Sequence, residues 1–342
     1  MPSEPKLRDD GEFALIARLA ERLRRAAPAK PATEVHVGIG DDAAVTVPGG
    51  ATVTSTEALI EGVHFRRETA PPAAIGRKAL AAALSDLAAM GASAGEAYVA
   101  LGLPDDFVED DCLELYDALA ALAAESGTAV LGGDLTRAPV LVLAITVVGH
   151  APSGSAPVAR DGASVGQVLA VTGELGGAAA GLLLLERPEL ATSLDPEIAA
   201  ALRRRQLEPT PLLASGGALA SAGASAMIDI SDGIGADAGQ IAAASRVRAS
   251  IELERLPVQA GVAEVAAAAE LERVDLAAAG GEDYELLAVL PAELTEDATA
   301  AVSAQGGRLT TIGRTAPGEG VELRGPDGSV RQPLGFDHLR PR

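Results

Sequence analysis

Apolar residues recur along the chain with two different spacings, which predict where helices and strands lie. Residues 12–25 place Phe13, Ile16 and Leu23 on one face, as an amphipathic helix does. Short β-branched runs such as 51–54, bounded by glycine or proline, are typical of strands. By the same criteria we expect further helices at residues 73–90, 110–126, 196–205, 211–222 and 291–305, and helices that end at Leu185 and Ser245. Further strands are expected at residues 128–131, 139–148, 168–171, 284–290, 308–312 and 321–323.

The order of these elements predicts the fold class. Helices and strands alternate in both halves of the chain, which indicates an α/β or α+β protein. Residues 151–157, APSGSAP, have the composition of a linker, and a chain of 342 residues is longer than one typical domain. We therefore predict an N-terminal domain at residues 1–150 and a C-terminal domain at residues 151–342.

Acidic side chains are concentrated at glycine turns, at strand ends and within apolar runs, where ordinary surface acids are uncommon. They are Asp41, Asp42, Glu57, Asp86, Asp134, Asp229, Asp232, Glu282 and Asp283. Carboxylate oxygens bind Mg²⁺, which commonly bridges to substrate phosphates. The pattern as a whole favours a site that holds divalent cations and an anionic substrate.

Each acid also has a simpler explanation when it is considered alone. Asp41 and Asp42 could form an exposed turn, and Asp86 could face solvent from its helix. Ser231 could cap the helix that follows it, with Asp232 favourable in the first helical turn. Both interpretations of each position are physically sound.

Residues 38–43, GIGDDA, also satisfy the glycine fingerprint of dinucleotide-binding proteins. That interpretation is weak because Asp41 and Asp42 would place negative charge where a pyrophosphate binds, and because a predicted strand follows instead of a helix. The chain also has neither a G-x-x-x-x-G-K-[ST] loop nor an H-R-D loop. A phosphoryl-transfer site built from acids and several Mg²⁺ ions would need neither of these loops.

The composition narrows the possible functions further. A net charge of -21 argues against nucleic-acid binding, which depends on Lys and Arg. Cys112 is the only cysteine, which excludes an intramolecular disulfide and a thiolate zinc cluster. Residues 1–6 contain no apolar signal segment, and every apolar run is too short to span a bilayer. We expect a soluble cytoplasmic protein with no nucleic-acid or membrane partner.

Six stretches resemble, in order, the motifs of the thiamine-monophosphate kinase family, which belongs to the aminoimidazole ribonucleotide synthetase-like superfamily. They are residues 38–43 (GIGDDA), 55–65 (STE through GVHF), 78–91 (KAL through LSDLAAMG), 132–134 (GGD), 228–233 (IDISDG) and 280–286 (GGEDYEL). The resemblance covers essentially the whole chain. It implies ATP-dependent phosphorylation of thiamine monophosphate to thiamine diphosphate by direct in-line transfer with several Mg²⁺ ions. It also implies a homodimer formed through the sheet of an N-terminal domain that binds ATP and Mg²⁺, and a C-terminal α/β domain that completes the site.

The resemblance also implies roles for individual residues. The metal-binding set would be Asp42, Ser55, Thr56, Glu57, Asp86, Asp134, Asp229 and Asp232. The ATP contacts would be Gly133, Arg160, Ser231 and Tyr116, and the contacts to thiamine monophosphate would be His64, Glu282 and Phe336. No side chain is assigned as a general base, because the nucleophile is already a phosphate oxygen.

Three positions depart from the family pattern. Glu57 stands where the family usually has Asp, Leu135 where Thr is common, and Gly177 where an acid is common. The added methylene of Glu57 would shift a metal-binding oxygen by about an ångström, enough to disturb an aligned reaction. An alternative hypothesis is therefore a nucleotide-binding relative that has lost activity and acts in regulation, or another ATP-using enzyme of the superfamily.

Overall fold

The structure, a computed structural model, describes residues 12–26, 34–37, 44–48, 50–151 and 156–331. These residues form two compact units. The first contains the described residues up to Leu87 together with those from Ala92 to Ala156, and the second contains Ala88–Gly91 together with those from Pro157 onward. Both units combine helices and sheets, which confirms the predicted class.

The first unit is built on a four-stranded sheet. Its helices are α1 (Glu12–Ala26), α2 (Pro72–Ala89, whose last two residues belong to the second unit) and α3 (Glu109–Ser126). Its strands are β1 (Glu34–Val37), β2 (Val45–Val47), β3 (Thr52–Ile60), β4 (Ser93–Leu103), β5 (Ala129–Arg137) and β6 (Val142–His150). The order in the sheet is β3-β6-β4-β5, in which only the β4/β5 pair is parallel, while β1 and β2 form a separate antiparallel pair.

Helix α2 lies at the centre of the first unit because it is almost entirely small and apolar. Leu80, Leu84 and Leu87 are each 0% exposed, as are several of its alanines. Gly76 allows α2 to approach α3 closely, since a Cβ at this position would lie 2.1 Å from the Leu115 carbonyl oxygen. The apolar run that predicted this helix is therefore explained by burial on nearly all sides.

The second unit is built on a seven-stranded sheet. Its helices are α4 (Gly177–Glu186), α5 (Pro196–Leu207), α6 (Leu213–Ser221), α7 (Ile234–Ser245), α8 (Val262–Ala268), α9 (Arg273–Ala279) and α10 (Thr295–Ala304). Its strands are β7 (Val168–Thr172), β8 (Ala226–Asp229), β9 (Arg248–Glu252), β10 (Leu286–Leu290), β11 (Leu309–Ala316), β12 (Gly320–Arg324) and β13 (Val330–Arg331). The order is β13-β12-β9-β11-β7-β10-β8, and every neighbouring pair is antiparallel except β12/β9.

Strand β10 shows that this sheet is covered on both faces. All five of its residues are buried. Leu287 and Val289 belong to the apolar cluster on one face, and Leu286, Ala288 and Leu290 belong to the cluster on the other. A continuous apolar run without alternation is the pattern expected of such a strand.

Several predicted boundaries were wrong, including the following two. The strand expected at residues 284–290 begins only at Leu286, because Tyr284 has a φ of 50°, which is incompatible with extended backbone. The strand expected at residues 128–131 continues to Arg137, so residues 132–134 lie inside β5 and not at its end. Gly133 is required there for close strand pairing, since a Cβ would lie 2.0 Å from the Val99 carbonyl oxygen.

Within the part of the chain that the structure describes, no helix is both long enough and apolar enough to cross a bilayer.

Candidate active site

In the first unit, Ser55 and Asp86 lie in direct contact. The Ser55 hydroxyl on β3 donates a hydrogen bond of 2.5 Å to Asp86 Oδ2 on α2. Asp86 is half-buried on a largely apolar helix. Two members of the predicted metal-binding set are therefore brought together, and both offer oxygen.

Strand β3 presents its predicted ligands on two different faces. Ser55 and Glu57 are half-buried and share a face with the buried Val53, because side chains alternate along a strand. Thr56 is exposed on the opposite face, where its hydroxyl is 2.9 Å from that of Thr146 on β6. The Thr56 hydroxyl therefore does not face Asp86, which the sequence motif alone did not reveal.

On β5, Gly133 and Asp134 are both exposed. Asp134 lies beside Ala100 of β4 in the parallel register. The predicted nucleotide and metal contacts at these two positions are accessible to a ligand.

The His64 loop follows β3, and a backbone contact within it sets the tautomer of the neutral imidazole. The Ile60 backbone N–H donates to His64 Nδ1 at 3.0 Å. A ring nitrogen that accepts a hydrogen bond carries no proton, so neutral His64 has its proton on Nε2. His64 is half-buried and can present this N–H to an anionic group.

Glu61 anchors the same loop. Its carboxylate accepts from the Arg67 Nε at 2.7 Å and from the Leu141 backbone N–H at 2.9 Å. Arg67 in turn donates to Asp106 at 2.9 Å and lies over the Phe107 ring. Glu61 therefore stabilises the conformation in which His64 is held.

In the second unit, β8 ends at Asp229 and is followed by the turn that contains Ser231 and Asp232. Asp229 is 4% exposed, and Asp232 is half-buried. The carboxylate of Asp237, in the first turn of α7, accepts from the backbone N–H groups of both Ser231 and Asp232 at 3.1 Å. Sequence reasoning missed Asp237; the signal that could have found it is an acid one helical turn after an N-terminal glycine.

The second acidic stretch pairs directly with this turn. The Glu282 N–H donates to the Ser231 carbonyl at 2.8 Å, and the Tyr284 N–H donates to the Ile230 carbonyl at 2.9 Å. Gly281 permits this approach, because a Cβ there would lie 2.3 Å from the Ser231 oxygen. The second unit therefore brings predicted metal, nucleotide and substrate residues onto two adjoining backbone segments.

Asp283 and Glu285 are buried anchors on either side of Tyr284. Asp283 is 1% exposed and accepts from the backbone N–H groups of Gly176, at 2.6 Å, and Ala178, at 3.0 Å, at the start of α4. Burial raises the pKa of Asp283 to about 6. Glu285 is 4% exposed, accepts from the Thr172 hydroxyl at 2.6 Å and forms an ion pair with Arg205.

The backbone is strained at the two residues that flank Asp283. Glu282 has a φ of 66° and Tyr284 a φ of 50°, both in the left-handed region that side chains other than glycine rarely adopt. Such conformations persist when the surrounding contacts impose them, and they are common at functional sites.

The remaining predicted contacts are distributed as follows. Arg160 is exposed, and its carbonyl accepts from the Ser245 hydroxyl at 2.7 Å. Tyr116 is 5% exposed among the buried residues of α3, and this burial raises the pKa of its phenol. Asp42 and Phe336 lie outside the described residues.

The donor chemistry of both units fits a hard cation. Ser55, Glu57 and Asp86 offer oxygen atoms, as do Asp229 and Asp232, and Mg²⁺ prefers oxygen ligands. Burial, followed by the charges of Asp229 and Asp232, raises the pKa of Asp237 to about 8, so three acids lie close together at this turn. Among the described residues, no three His, Cys, Asp or Glu side chains form a complete metal-binding group on their own.

Comparisons with known proteins agree with these features. Residues 40–151 match the family described as AIR synthase related protein, N-terminal domain, and residues 164–325 match the corresponding C-terminal domain. The thiamine-monophosphate kinase of Mycobacterium tuberculosis is 41% identical over 83% of this chain and 82% of its own length. The crystal structure of the thiamine-monophosphate kinase of Stenotrophomonas maltophilia is 37% identical, covers 94% of this chain and 98% of its own, and has a TM-score of 0.80. AaThiL, solved in complex with AMPPCP and TMP, is 29% identical over 98% of this chain and all of its own, with a TM-score of 0.75. The chain therefore belongs to the AIR synthase-related proteins and, among them, to the thiamine-monophosphate kinase family.

Proposed function

We propose that this protein transfers the γ-phosphoryl group of ATP to the phosphate of thiamine monophosphate, which yields thiamine diphosphate. The structural observation that supports this function best is the direct pairing of the Ser231–Asp232 turn with the Glu282 segment. Acids suited to cations and a residue expected to contact the acceptor are thereby fixed next to each other. The relatives that carry the kinase name, and the AaThiL complex with a nucleotide analogue and TMP, support the same reaction.

The reaction brings together two groups of negatively charged phosphates, whose mutual repulsion opposes attack. When bound, Mg²⁺ ions would neutralise this charge and align the reacting oxygens. The residues proposed to hold them are Asp42, Ser55, Thr56, Glu57, Asp86, Asp134, Asp229 and Asp232. Thr56 has its hydroxyl on the other face of β3 from Ser55, so its contribution would come from its main chain.

The remaining proposed residues position the two substrates. Gly133, Arg160, Ser231 and Tyr116 are assigned to ATP, and His64, Glu282 and Phe336 to thiamine monophosphate. His64 would donate its Nε2–H to the acceptor phosphate, since Nδ1 is occupied by the Ile60 N–H. No general base is required, because the attacking phosphate oxygen is already ionised.

We extend the proposal to the assembly and the cellular location. The residue 1–150 domain would bind ATP and Mg²⁺ and form a homodimer through the face of the sheet that carries Thr54, Thr56 and Ala58, which are exposed. The residue 151–342 domain would complete the site, and the enzyme would act in the cytoplasm. Sedimentation of the purified protein at micromolar concentration tests the dimer.

The reaction is tested by incubating the purified protein with ATP, Mg²⁺ and thiamine monophosphate, followed by chromatographic separation of thiamine species. We expect thiamine diphosphate only when all three are present. ATP binding without diphosphate formation would instead favour a regulatory binding protein.

Replacement of Glu57 separates these two functions. In an active kinase, Glu57→Asp leaves the rate unchanged or lowers it, because Glu57 is already part of a working site. In a relative that has lost activity through this substitution, Glu57→Asp raises the rate. The exposed Glu68, replaced as Glu68→Asp, provides the control for an equivalent change outside the site.

A further inference from the structure

The last turn of α5 contributes two consecutive side chains to the acidic segment of the second unit. Arg205 forms its ion pair with Glu285, and the Gln206 Nε2 donates to Glu282 Oε2 at 2.6 Å. Gln206 is 4% exposed, whereas Glu282 is half-buried. A buried amide on α5 therefore holds a carboxylate that reaches the surface.

The orientation of this amide is fixed by charge. Only the NH₂ end of a glutamine can donate to a carboxylate, so Nε2 faces Glu282. The opposite end, Oε1, is buried and has no hydrogen-bond partner within the described residues. Leaving a buried acceptor unpaired is unfavourable, and such exceptions are uncommon in folded proteins. A role in packing alone does not explain why a glutamine with an unpaired Oε1 occupies this position. The hydrogen bond that its Nε2 donates to Glu282 does explain it.

Backbone contacts hold the main chain of Glu282 but do not set the direction of its side chain. Its left-handed conformation is imposed by the Ser231 carbonyl on one side and by the buried Asp283 on the other. These contacts fix the main chain, but a glutamate side chain retains three rotatable bonds. Gln206 supplies a side-chain contact that directs the carboxylate.

We propose that Gln206 is a positioning residue that sets the affinity for the acceptor substrate through Glu282. This inference rests on the proposed function, in which Glu282 contacts thiamine monophosphate. The chemical class recognised is an amino-substituted heteroaromatic cation, whose hydrogen-bond donors and positive charge suit an oriented carboxylate. The hydrogen bond between Gln206 and Glu282 involves no side chain assigned to the nucleotide.

The test compares two isosteric replacements with a control. Gln206→Met keeps the size and removes the donor, and Gln206→Glu places a carboxyl group against the Glu282 carboxylate. Gln240→Met and Gln240→Glu make the same changes on the exposed face of α7. Calorimetry measures the Kd of thiamine monophosphate in the presence of AMPPCP, and the Kd of AMPPCP alone, so that no turnover is required.

We expect Gln206→Met to raise the Kd for thiamine monophosphate by about tenfold and Gln206→Glu by more, because a hydrogen bond to a charged group is lost or replaced by repulsion. The Kd for AMPPCP stays within about twofold, and both Gln240 variants behave as the unmodified chain. Thermal melting checks that each variant is folded, and if one of the two Gln206 variants does not fold, the other provides the measurement.

Two outcomes would overturn the inference: unchanged acceptor affinity in both Gln206 variants, or an equal loss of acceptor and nucleotide affinity, which would indicate a general structural role. Failure of the proposed function looks different. If the unmodified chain binds thiamine monophosphate but forms no diphosphate, the kinase function is refuted. The Gln206 assignment still holds in that case if the Gln206 variants bind thiamine monophosphate more weakly. An unmodified chain that binds no thiamine monophosphate would refute both.

Discussion

The acids of the two units differ in what holds them. In the first unit, Asp86 is half-buried with a hydroxyl as its partner, and Asp134 is exposed. In the second unit, Asp237, Asp283 and Glu285 are buried and accept from backbone N–H groups, from Thr172 or from Arg205. Similar acidic motifs therefore contain two kinds of residue, those available to a ligand and those that hold the backbone.

The difference explains why the second unit can present Glu282 and Asp232 in defined positions. A carboxylate whose main chain is not held by neighbouring contacts would turn away from nearby acids when no cation neutralises its charge. Buried neighbours in the same motif supply that support, and the strained backbone at Glu282 shows that they dominate local preference. The comparison predicts that anchors and ligands respond differently to substitution.

The largest effect is expected at Asp283. Asp283→Ala should lower the free energy of unfolding by about 2–4 kcal/mol, since the Gly176 and Ala178 N–H groups are left buried without an acceptor. Urea unfolding measures this change. Asp195→Ala is the matched control, because Asp195 accepts one N–H at the start of α5 on the surface and should cost about 1 kcal/mol. Equal losses in the two variants would contradict the anchor role.

The pH dependence of stability sharpens the same assignment. The pKa of Asp283 is raised from 3.8 to about 6 by burial, so the folded protein retains a proton that the unfolded chain releases. Its contribution to stability is fully present below pH 4 and is lost as the pH rises through 6. We expect the difference in unfolding free energy between the unmodified chain and Asp283→Asn to change by about 1–3 kcal/mol across this range. If this difference in unfolding free energy stayed constant from pH 4 to 7, the raised pKa of Asp283 would be refuted.

Asp237 distinguishes geometry from charge. Asp237→Asn keeps an oxygen that can accept from Ser231 and Asp232, whereas Asp237→Ala removes it. We expect Asp237→Ala to raise the Mg²⁺ concentration for half-maximal activity by about tenfold, equivalent to about 1.4 kcal/mol, and Asp237→Asn to raise it less. Asp297→Ala, on the surface of α10, should leave it unchanged. An unaltered Mg²⁺ requirement in Asp237→Ala would contradict the hypothesis that Asp237 positions the Ser231–Asp232 turn.

The smallest effect is expected at His64 in the first unit, because its replacement leaves Glu61, which anchors the loop, in place. His64→Asn retains an acceptor for the Ile60 N–H and loses the Nε2 donor. The KM for thiamine monophosphate should rise by about fivefold, the loss of one hydrogen bond, with the KM for ATP unchanged. His36→Asn, at an exposed position on β1, is the control. A matching rise in both KM values would indicate collapse of the loop instead.

The sequence predicted those features that depend on local periodicity. The small apolar helix α2 and the buried strand β10 followed from their runs, and the mixed class followed from the order of elements. The strand ahead of Leu286 was mispredicted, because a run that begins at Tyr284 resembles extended backbone until the pairing with Ile230 is known. Periodicity carries no information about such long-range contacts.

The supporting residues of the site were also invisible in the sequence. Asp237 resembles any surface acid in the first turn of a helix, and Gln206 follows three arginines in a polar segment. Their roles arise from contacts with residues that are remote in the chain or folded back by a turn. The motifs identified the candidate ligands, and only the folded arrangement identified what holds them.

The end of α2 has a consequence for how the protein is made. Ala88 and Ala89 are synthesised early, yet they belong to the apolar cluster that contains Met227 and Leu290, and Gly216 packs against the Ala88 carbonyl. On the ribosome, this helical turn must wait for strands that emerge much later before it is covered. A fragment beginning at Pro157 would lack these residues, so the C-terminal half is expected to refold poorly unless a peptide containing the end of α2 is supplied.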